Sequence, residues 1–485
     1  MRSTDTRDHG AAGPLSGCAR GSSQVPQDTD PLPPDRPVPG PADEVPGPVG
    51  RPERPFPADA RDVHAADRDV PAAVGRVLRT VLDGQLAGAE SLDPVFAQDI
   101  ARRVARFTLD GGKRLRSQLV WWAWRACGGT DPDDARTALR VGAALELIQT
   151  CALVHDDLMD GARVRRGRPA LHADVTAQYA PAVPGADGER LGQAAAILAG
   201  DLALAWADDL IAAATDDPAL LRRVREVWRP LRTEMVAGQY LDVQGQATSA
   251  RSVARAVRTA CLKSALYTVE RPLGLGAAVA GADAVTTHAL CSAGRCVGMA
   301  FQLRDDLQDV FGDSGRTGKP SGGDLRDGKP TYLAAVAQAR AETSGDHAAL
   351  AVLRRCVGAP DLSAADLDRV REILVGTGAR DLVEAKIARL AEQGLRHIDG
   401  AVLEAAPRRR LDRLLRTAAG LPTTGPASAH PASAHPASAH PASAHPASAH
   451  PASGHAGGGH PDPGPAEPGI AVSLAMAAGA EGAGR

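Results

Sequence analysis

Six aspartates stand in two matching runs. Asp156, Asp157 and Asp160 lie in HDDLMD, and Asp305, Asp306 and Asp309 lie in RDDLQD; no other window of the 485 residues has the Asp-Asp-x-x-Asp pattern. On a helix, residues four apart share a face and the next residue along lies about 100° round it. Each run therefore crowds carboxylates whose repulsion destabilises a helix, and a solvated helix end is the bland reading of either run alone. The apolar lead-ins, IQTCALV before the first and VGMAFQL before the second, argue against full exposure. Carboxylates clustered at the rim of an apolar cavity need cations. Hard oxygen ligands favour Mg2+, which keeps water in its shell and is completed by substrate phosphates. The chemistry would be a diphosphate held between two acidic helices through bridging Mg2+.

Such a site needs basic side chains as well. The run GGKRLR puts Lys113 and Arg116 just after a glycine-broken helix end, where their donors can meet a phosphate. Arg163, Arg165, Arg166 and Arg168 follow the first acidic run within one loop, and Lys319 and Lys329 follow the second in TGKPSGGDLRDGKP. Singly, each reads as a surface charge. Basic loops behind both acidic runs are harder to set aside.

The elements that position these groups read as helices. Val141, Ala144, Leu145, Ile148 and Ala152 recur at three- and four-residue spacing. Similar patterns run through 192–214, 221–243, 253–266 and 290–310, and the alternation of a half-buried sheet is absent. The expected fold is all-α, a large single-domain helical bundle around a central cavity. Of the 37 prolines, thirteen fall in 1–70 and eleven in 422–485, so the flanks read as disordered and 71–421 as the one folded body. The C-terminal flank carries five tandem Pro-Ala-Ser-Ala-His copies and seven of the fourteen histidines. It reads as a solvated low-complexity tail, with Zn2+ or Ni2+ capture as the alternative. No run of about 18 consecutive apolar residues suggests a membrane span, and the N-terminus MRSTDTRDHGAAG lacks a signal's apolar stretch. A net charge of −3 offers no footprint for nucleic acid. Seven scattered cysteines read as reduced thiols of a cytoplasmic protein.

In order along about residues 75–420, GGKRLR, LVHDDLMDGARVRRGRPALH, LAGD, GQYLD, KSALYTVERP and FQLRDDLQDVFGDSGRTGKPSGGDLRDGK resemble the class I trans-isoprenyl diphosphate synthases, the polyprenyl synthetases. The resemblance implies the isoprenoid synthase type I fold, a homodimer and three Mg2+ ions per site. Asp156, Asp157 and Asp160 would hold Mg2+ and the allylic diphosphate (dimethylallyl, geranyl or farnesyl), and Asp305, Asp306 and Asp309 would be the second metal motif. Lys113, Arg116 and Gln149 match the pocket for isopentenyl diphosphate. Arg165 matches the allylic-diphosphate arginine and Arg166 the isopentenyl one. Lys263, Ser264, Gln302, Lys319 and Lys329 match the remaining substrate contacts, with Lys263 also acting on the leaving group. The spacing from Lys319 to Lys329 runs a residue longer than in some members. The implied reaction is ionisation of the allylic diphosphate, head-to-tail attack by the isopentenyl double bond, and loss of a proton.

Product length would be set along the helix behind the first acidic run, because one helical turn of about 5.4 Å matches roughly one isoprene unit. Short-chain members often place an aromatic four or five residues before the first aspartate. Here those positions are Ala152 and Cys151, which points past C15 to the C20 product, geranylgeranyl diphosphate, with farnesyl or longer products as alternatives. Leu147, Ile148 or a neighbouring helix would form the next floor, and Trp121, Trp122 and Trp124 read as core. Cys151 and His155 read as packing residues rather than catalysts. Two other readings remain, a non-catalytic subunit of a heteromeric synthase and a terpene cyclase. Intact acidic runs weigh against the first, and a second Asp-Asp-x-x-Asp with Lys113 and Arg116 weighs against the second.

Overall fold

In a computed structural model, residues 63–248, 252–312 and 321–422 are described. The two proline-rich flanks, the histidine repeats and Lys319 lie outside them. The described residues all belong to one compact unit.

The chain runs α1 (Val63–Arg68), α2 (Val70–Leu92), α3 (Pro94–Phe96), a π-helical turn (Ala97–Ala101), α4 (Arg102–Leu109), α5 (Leu115–Ala126) and α6 (Pro132–Met159). A two-stranded hairpin follows, β1 (Val164–Arg165) and β2 (Arg168–Pro169). Then come α7 (Leu171–Tyr179), α8 (Ala186–Ala212), α9 (Pro218–Thr248), α10 (Val253–Ala260) and a ten-residue π-helical segment, Cys261–Glu270. The remaining elements are α11 (Arg271–Ala280), α12 (Ala284–Phe311), α13 (Gly323–Arg326), α14 (Tyr332–Ser344), α15 (His347–Cys356), α16 (Ala364–Gly376), α17 (Ala379–Asp399) and α18 (Ala405–Ala419). Among the described residues the hairpin is the only sheet.

Short side chains start these helices by satisfying their free amides. Asp131 accepts from the amides of Asp133 and Asp134 with Pro132 in the first turn, Asp283 accepts from Val285 and Thr286, and Thr331 accepts from Ala334. The helices start before their apolar stripes do, since α6 begins at Pro132 and α9 at Pro218. α1, Val63–Arg68, lies inside the span read as the N-terminal segment. Local pattern there is too short to see, but Ala66 is buried, and Asp67 accepts from Arg125 and from the Trp121 indole.

α6 is the core helix. Leu139, Leu145, Leu147 and Ile148 are fully buried along it, each burial stabilising the fold by about 1.5–3 kcal/mol. By length and hydropathy it is apolar enough to cross a membrane, which consecutive-residue counting missed, but 72% of that stretch is packed inside the bundle. A helix surrounded by other helices must be apolar on most sides. Trp121 and Trp124 are also fully buried, their ring centroids 4.9 Å apart, as core residues should be.

Two close crossings place the π-helical segment. A Cβ on Gly238 of α9 would lie 2.3 Å from the Lys263 amide nitrogen, and one on Gly298 of α12 would lie 2.5 Å from the Ala265 carbonyl oxygen. Only glycine lets both helices come this near, so Lys263 is held between α9 and α12.

Candidate active site

The first acidic run closes α6. Asp156 and Asp157 sit in its last turn and Asp160 caps it, where the negative end of the helix makes carboxylates unfavourable. Side chains from three other elements offset this. Lys263 Nζ lies 3.0 Å from Asp156 Oδ1, and Gln239 of α9 donates to the same oxygen at 3.0 Å. Arg165 donates through Nε to Asp157 at 2.7 Å and also reaches Asp156 at 3.5 Å. Lys329 Nζ lies 2.9 Å from Asp160 Oδ2.

Arg165 is aimed by its hairpin. Arg166 and Gly167, the two residues between the paired Arg165 and Arg168, both have positive φ, 53° and 74°, the pattern of a two-residue type I′ turn. That turn sends Arg165 back to α6 and sends Arg166 and Arg168 to Asp110 at the end of α4. Arg166 also lies over the Phe107 ring. One hairpin thereby joins the acidic run to the glycine-rich loop that carries Lys113.

Lys113 is exposed in that loop, and the next residue, Arg114, has φ 50° as the loop turns into α5. Arg116 donates to Thr268 at 2.9 Å and stacks 4.4 Å above the Tyr267 ring, so α5 meets the π-helical segment here. Its Nε is buried without a partner, and so is Oε1 of Gln149. Buried polar atoms left unpaired are expensive, and a ligand that pairs them is favoured.

The second run ends α12. Asp306 is buried and accepts from Gln302 at 2.7 Å, while Asp309 accepts from the Asp324 amide at 3.0 Å. Asp305 is exposed. Lys329 reaches Asp324 at 3.4 Å and Asp327 at 3.7 Å as well as Asp160, so one ammonium links the first run to the segment whose Asp324 amide holds Asp309. Ser264 is half-buried in the π-helical segment beside Lys263.

The charges differ between the runs. Burial opposes ionisation of Asp156, but Lys263 and Lys329 beside it, with hydrogen bonds from Lys263 and Gln239, hold it below the ordinary carboxylate range. Burial outweighs Arg165 at Asp157 and raises it. Lys263 is raised, because Asp156 and Asp242 more than offset its own burial. Burial and the neighbouring Asp324 lift Asp306 well above its usual value and push Asp309 up to about 6.

Several members of this cluster carried no assignment in the sequence. Gln239 and Asp242 lie in GQYLD, whose pattern was visible but whose roles were not, and Asp242 accepts from Lys263 at 2.5 Å. Asp324, in α13, and Asp327, just after it, lie in the glycine-rich segment where only Lys319 and Lys329 carried an assignment. The widened helix at Cys261–Glu270 has no signal in local propensity, and such π-helical insertions recur at functional sites. Cys151 and His155 pack as expected, with the thiol 3.8 Å from Nδ1 and Nε2 3.1 Å from the Ile197 carbonyl oxygen. Burial pushes the Cys151 thiol up to about 12, so it is no nucleophile.

The polyprenyl synthetase family matches residues 98–373, more than half of the chain. The chain belongs to this family. Geranylgeranyl diphosphate synthase of Mycobacterium tuberculosis is 35% identical over 290 residues, 58% of this chain and 75% of that protein. Farnesyl diphosphate synthase of Geobacillus stearothermophilus is 36% identical over 247 residues, 48% of this chain and 73% of that protein. A geranylgeranyl pyrophosphate synthase from Corynebacterium glutamicum, solved with isoprenyl diphosphate and magnesium, superposes with a TM-score of 0.67 at 37% identity, covering 72% of this chain and 98% of that one. This polyprenyl synthetase is therefore a trans-prenyltransferase with the all-α isoprenoid synthase fold.

Proposed function

We propose that the protein condenses isopentenyl diphosphate with an allylic diphosphate in an Mg2+-dependent reaction that ends at geranylgeranyl diphosphate, C20. The observation that carries this reading is the first acidic run ringed by Lys263, Arg165 and Lys329, with Lys329 also on Asp324 beside the second run, and with Oδ2 of Asp157 and Oδ1 of Asp160 buried and unpartnered. Among the described residues, no three acidic, His or Cys side chains close on a point as a ready-made metal cage. That suits ions completed by water and diphosphate oxygens rather than by protein alone. Asp156, Asp157 and Asp160 would hold Mg2+ on one side and Asp305, Asp306 and Asp309 on the other, three ions in all. When bound, the ions supply Lewis-acid neutralisation of the departing diphosphate.

The chain's own groups do the rest. Lys263, Arg165 and Lys329 are already fixed around the acidic run, so their charges meet the leaving diphosphate without reorganisation. The allylic C–O bond breaks with its electrons going to diphosphate, and the isopentenyl double bond then attacks the allylic cation. The adduct loses a proton to the released diphosphate. Lys113, Arg116, Gln149 and Arg166 hold the isopentenyl diphosphate group, and the orphaned atoms of Arg116 and Gln149 support that role. Ser264, Gln302 and Lys319 complete the contacts, Lys319 lying outside the described residues.

The chain-length reading rests on Cys151 and Ala152, where no aromatic closes the path, with the fully buried Leu147 and Ile148 one turn further on. The relatives carry both farnesyl and geranylgeranyl names, so product sizing decides between them. Purified protein given Mg2+, isopentenyl diphosphate and each allylic primer should accumulate C20, and accumulation of C15 overturns the length assignment. Cys151→Phe should shorten the product.

We place this enzyme in the cytoplasm as a homodimer. The unpaired state of Cys127, Cys151, Cys261, Cys291, Cys296 and Cys356 supports the first, and the exposed Leu191, Ile197 and Leu198 on one side of α8 support the second. Light scattering of the purified chain would show one chain mass if the dimer is wrong.

A further inference from the structure

Arg114 stands between Lys113 and Arg116 in GGKRLR and is the one cation of that run to which no ligand role falls. Nothing local favours an arginine there. Its backbone is left-handed, φ 50° and ψ 44°, a conformation that suits glycine or asparagine. It precedes α5 without capping that helix through its side chain. A strained residue of this kind persists only where its surroundings fix it.

The surroundings are supplied by α2 and α4. Lys113 is exposed, but the guanidinium of its neighbour runs inward. Arg114 donates to the Pro71 carbonyl oxygen of α2 at 3.0 Å and to the Leu109 carbonyl oxygen, at the end of α4, at 3.3 Å. The last carbonyls of a helix have no partner within it, so this donor answers a need. α2 makes room for the group. A Cβ on Gly75 would lie 2.8 Å from Arg114 Nη1, and its three nearest neighbours would all be atoms of that guanidinium. Glu146 of α6 is buried, accepts from Ser117 at 2.7 Å and would meet a Cβ on Gly111 at 3.5 Å, so it underlies the start of the same loop. Its charge also offsets part of the cost of burying Arg114. Gln118 holds the loop further on by donating to the Lys113 carbonyl oxygen at 2.7 Å. Arg114 thus commits a donor on each Nη to the protein, whereas Arg116 keeps Nε buried and unpartnered, open to a ligand.

We propose that Arg114 is a positioning residue for isopentenyl diphosphate: anchored between α2 and α4, it fixes the turn that presents Lys113 and Arg116 and does not itself touch the substrate. The assignment rests on the proposed condensation and its isopentenyl pocket, but not on product length. It also gives α2 a part in substrate binding, because Gly75 sets where the guanidinium lies.

Steady-state kinetics of the full chain in Mg2+, each substrate varied at saturation of the other, tests this for Arg114→Met, Arg114→Lys and Gly75→Ala. Arg114→Met should raise the KM for isopentenyl diphosphate about tenfold, with kcat and the allylic KM within about twofold of native, since a small misplacement of contact groups is enough for such a loss. Arg114→Lys can keep one of the two bonds and should recover part of the loss. Gly75→Ala is the sharper variant. Alanine inside α2 favours the helix, so the melting temperature should hold or rise. Its Cβ should nevertheless displace the guanidinium and raise the KM for isopentenyl diphosphate roughly threefold. In the Arg114→Met background the same alanine should add no further rise, because the group that it displaces is gone. An unchanged KM for isopentenyl diphosphate in Arg114→Met or in Gly75→Ala overturns the proposal, as does an equal rise for both substrates. Additive effects in the double variant overturn it too, since they separate Gly75 from Arg114. Calorimetric titration with isopentenyl diphosphate reads the same shift without turnover. Native protein that binds it but does not condense it refutes the catalytic reading alone. Native protein that condenses while Arg114→Met keeps its affinity refutes the positioning role alone.

Discussion

Asp156, Asp157 and Asp160 meet Lys263, Arg165 and Lys329, whereas Asp306 and Asp309 meet a glutamine, a backbone amide and the carboxylate of Asp324. The two runs share a pattern and a place at a helix end, yet the fold compensates one and leaves the other crowded. The outcome is mixed in the first run, with Asp156 held below its ordinary range and Asp157 raised, whereas in the second Asp306 is lifted far above it and Asp309 up to about 6. At Asp309 burial and the Asp324 carboxylate outweigh the Lys329 charge, and a buried carboxylate crowded by others retains its proton more readily. The second run is thus the one whose charge depends most on an arriving cation, and the first is set up to present charge at once.

Substitutions can break this comparison. Turnover should respond most and alike in both runs, since on the proposed mechanism Asp156→Ala and Asp305→Ala each remove a group acting on the departing diphosphate. We expect losses of about 10²–10³-fold in kcat, the scale seen when one preorganised electrostatic contact is removed. A kcat near the native value for either variant would remove that run from catalysis.

Stability should separate the runs. Asp157→Asn leaves Arg165 partly buried against a neutral partner, at a cost of about 3 kcal/mol or more, typical of a broken buried pair. Asp306→Asn keeps the acceptor for Gln302 and removes a crowded charge, so it should hold or raise the melting temperature in EDTA. Thermal melts of both variants without metal check this, and equal losses would show that the second run is compensated after all.

Lys329 touches Asp160 in the first run and Asp324 beside the second, so Lys329→Gln should act on both sides of the acidic cluster. We expect the KM for the allylic substrate to rise about tenfold, the equivalent of about 1.4 kcal/mol, with little change for isopentenyl diphosphate. An equal rise for both substrates would contradict a bridge confined to the acidic side.

The smallest effect is a pH dependence of metal stabilisation. Asp309 is protonated more readily folded than unfolded, as is Asp306, so their stabilisation is present at low pH and lost as pH rises through about 6. Asp156 has the opposite sign, but its contribution fades only below the ordinary carboxylate range. The rise in melting temperature on adding Mg2+ should therefore be larger at pH 7.5 than at pH 5. A rise that does not change with pH would mean that Mg2+ displaces no protons.

How far the sequence could be read follows from which interactions are local. Helix periodicity, capping aspartates and two acidic runs are local, and they specified a helical body and the carboxylate sets. The packing of α1 was not legible because Asp67 finds its partners only in Arg125 and Trp121, more than fifty residues on. Gln239, Asp242, Asp324 and Asp327 were missed as site residues for the same reason. Each is an ordinary polar residue until Lys263 or Lys329 arrives beside it.

By itself the sequence determined an all-α fold and the family, because spacing along a helix dictates which side chains share a face. Only the tertiary structure decided that Asp156 is held below its ordinary range while Asp157, Asp306 and Asp309 are raised. That depends on burial and on distances between α6, α9, α12 and the π-helical segment, and Coulomb interactions depend on separation in space rather than along the chain.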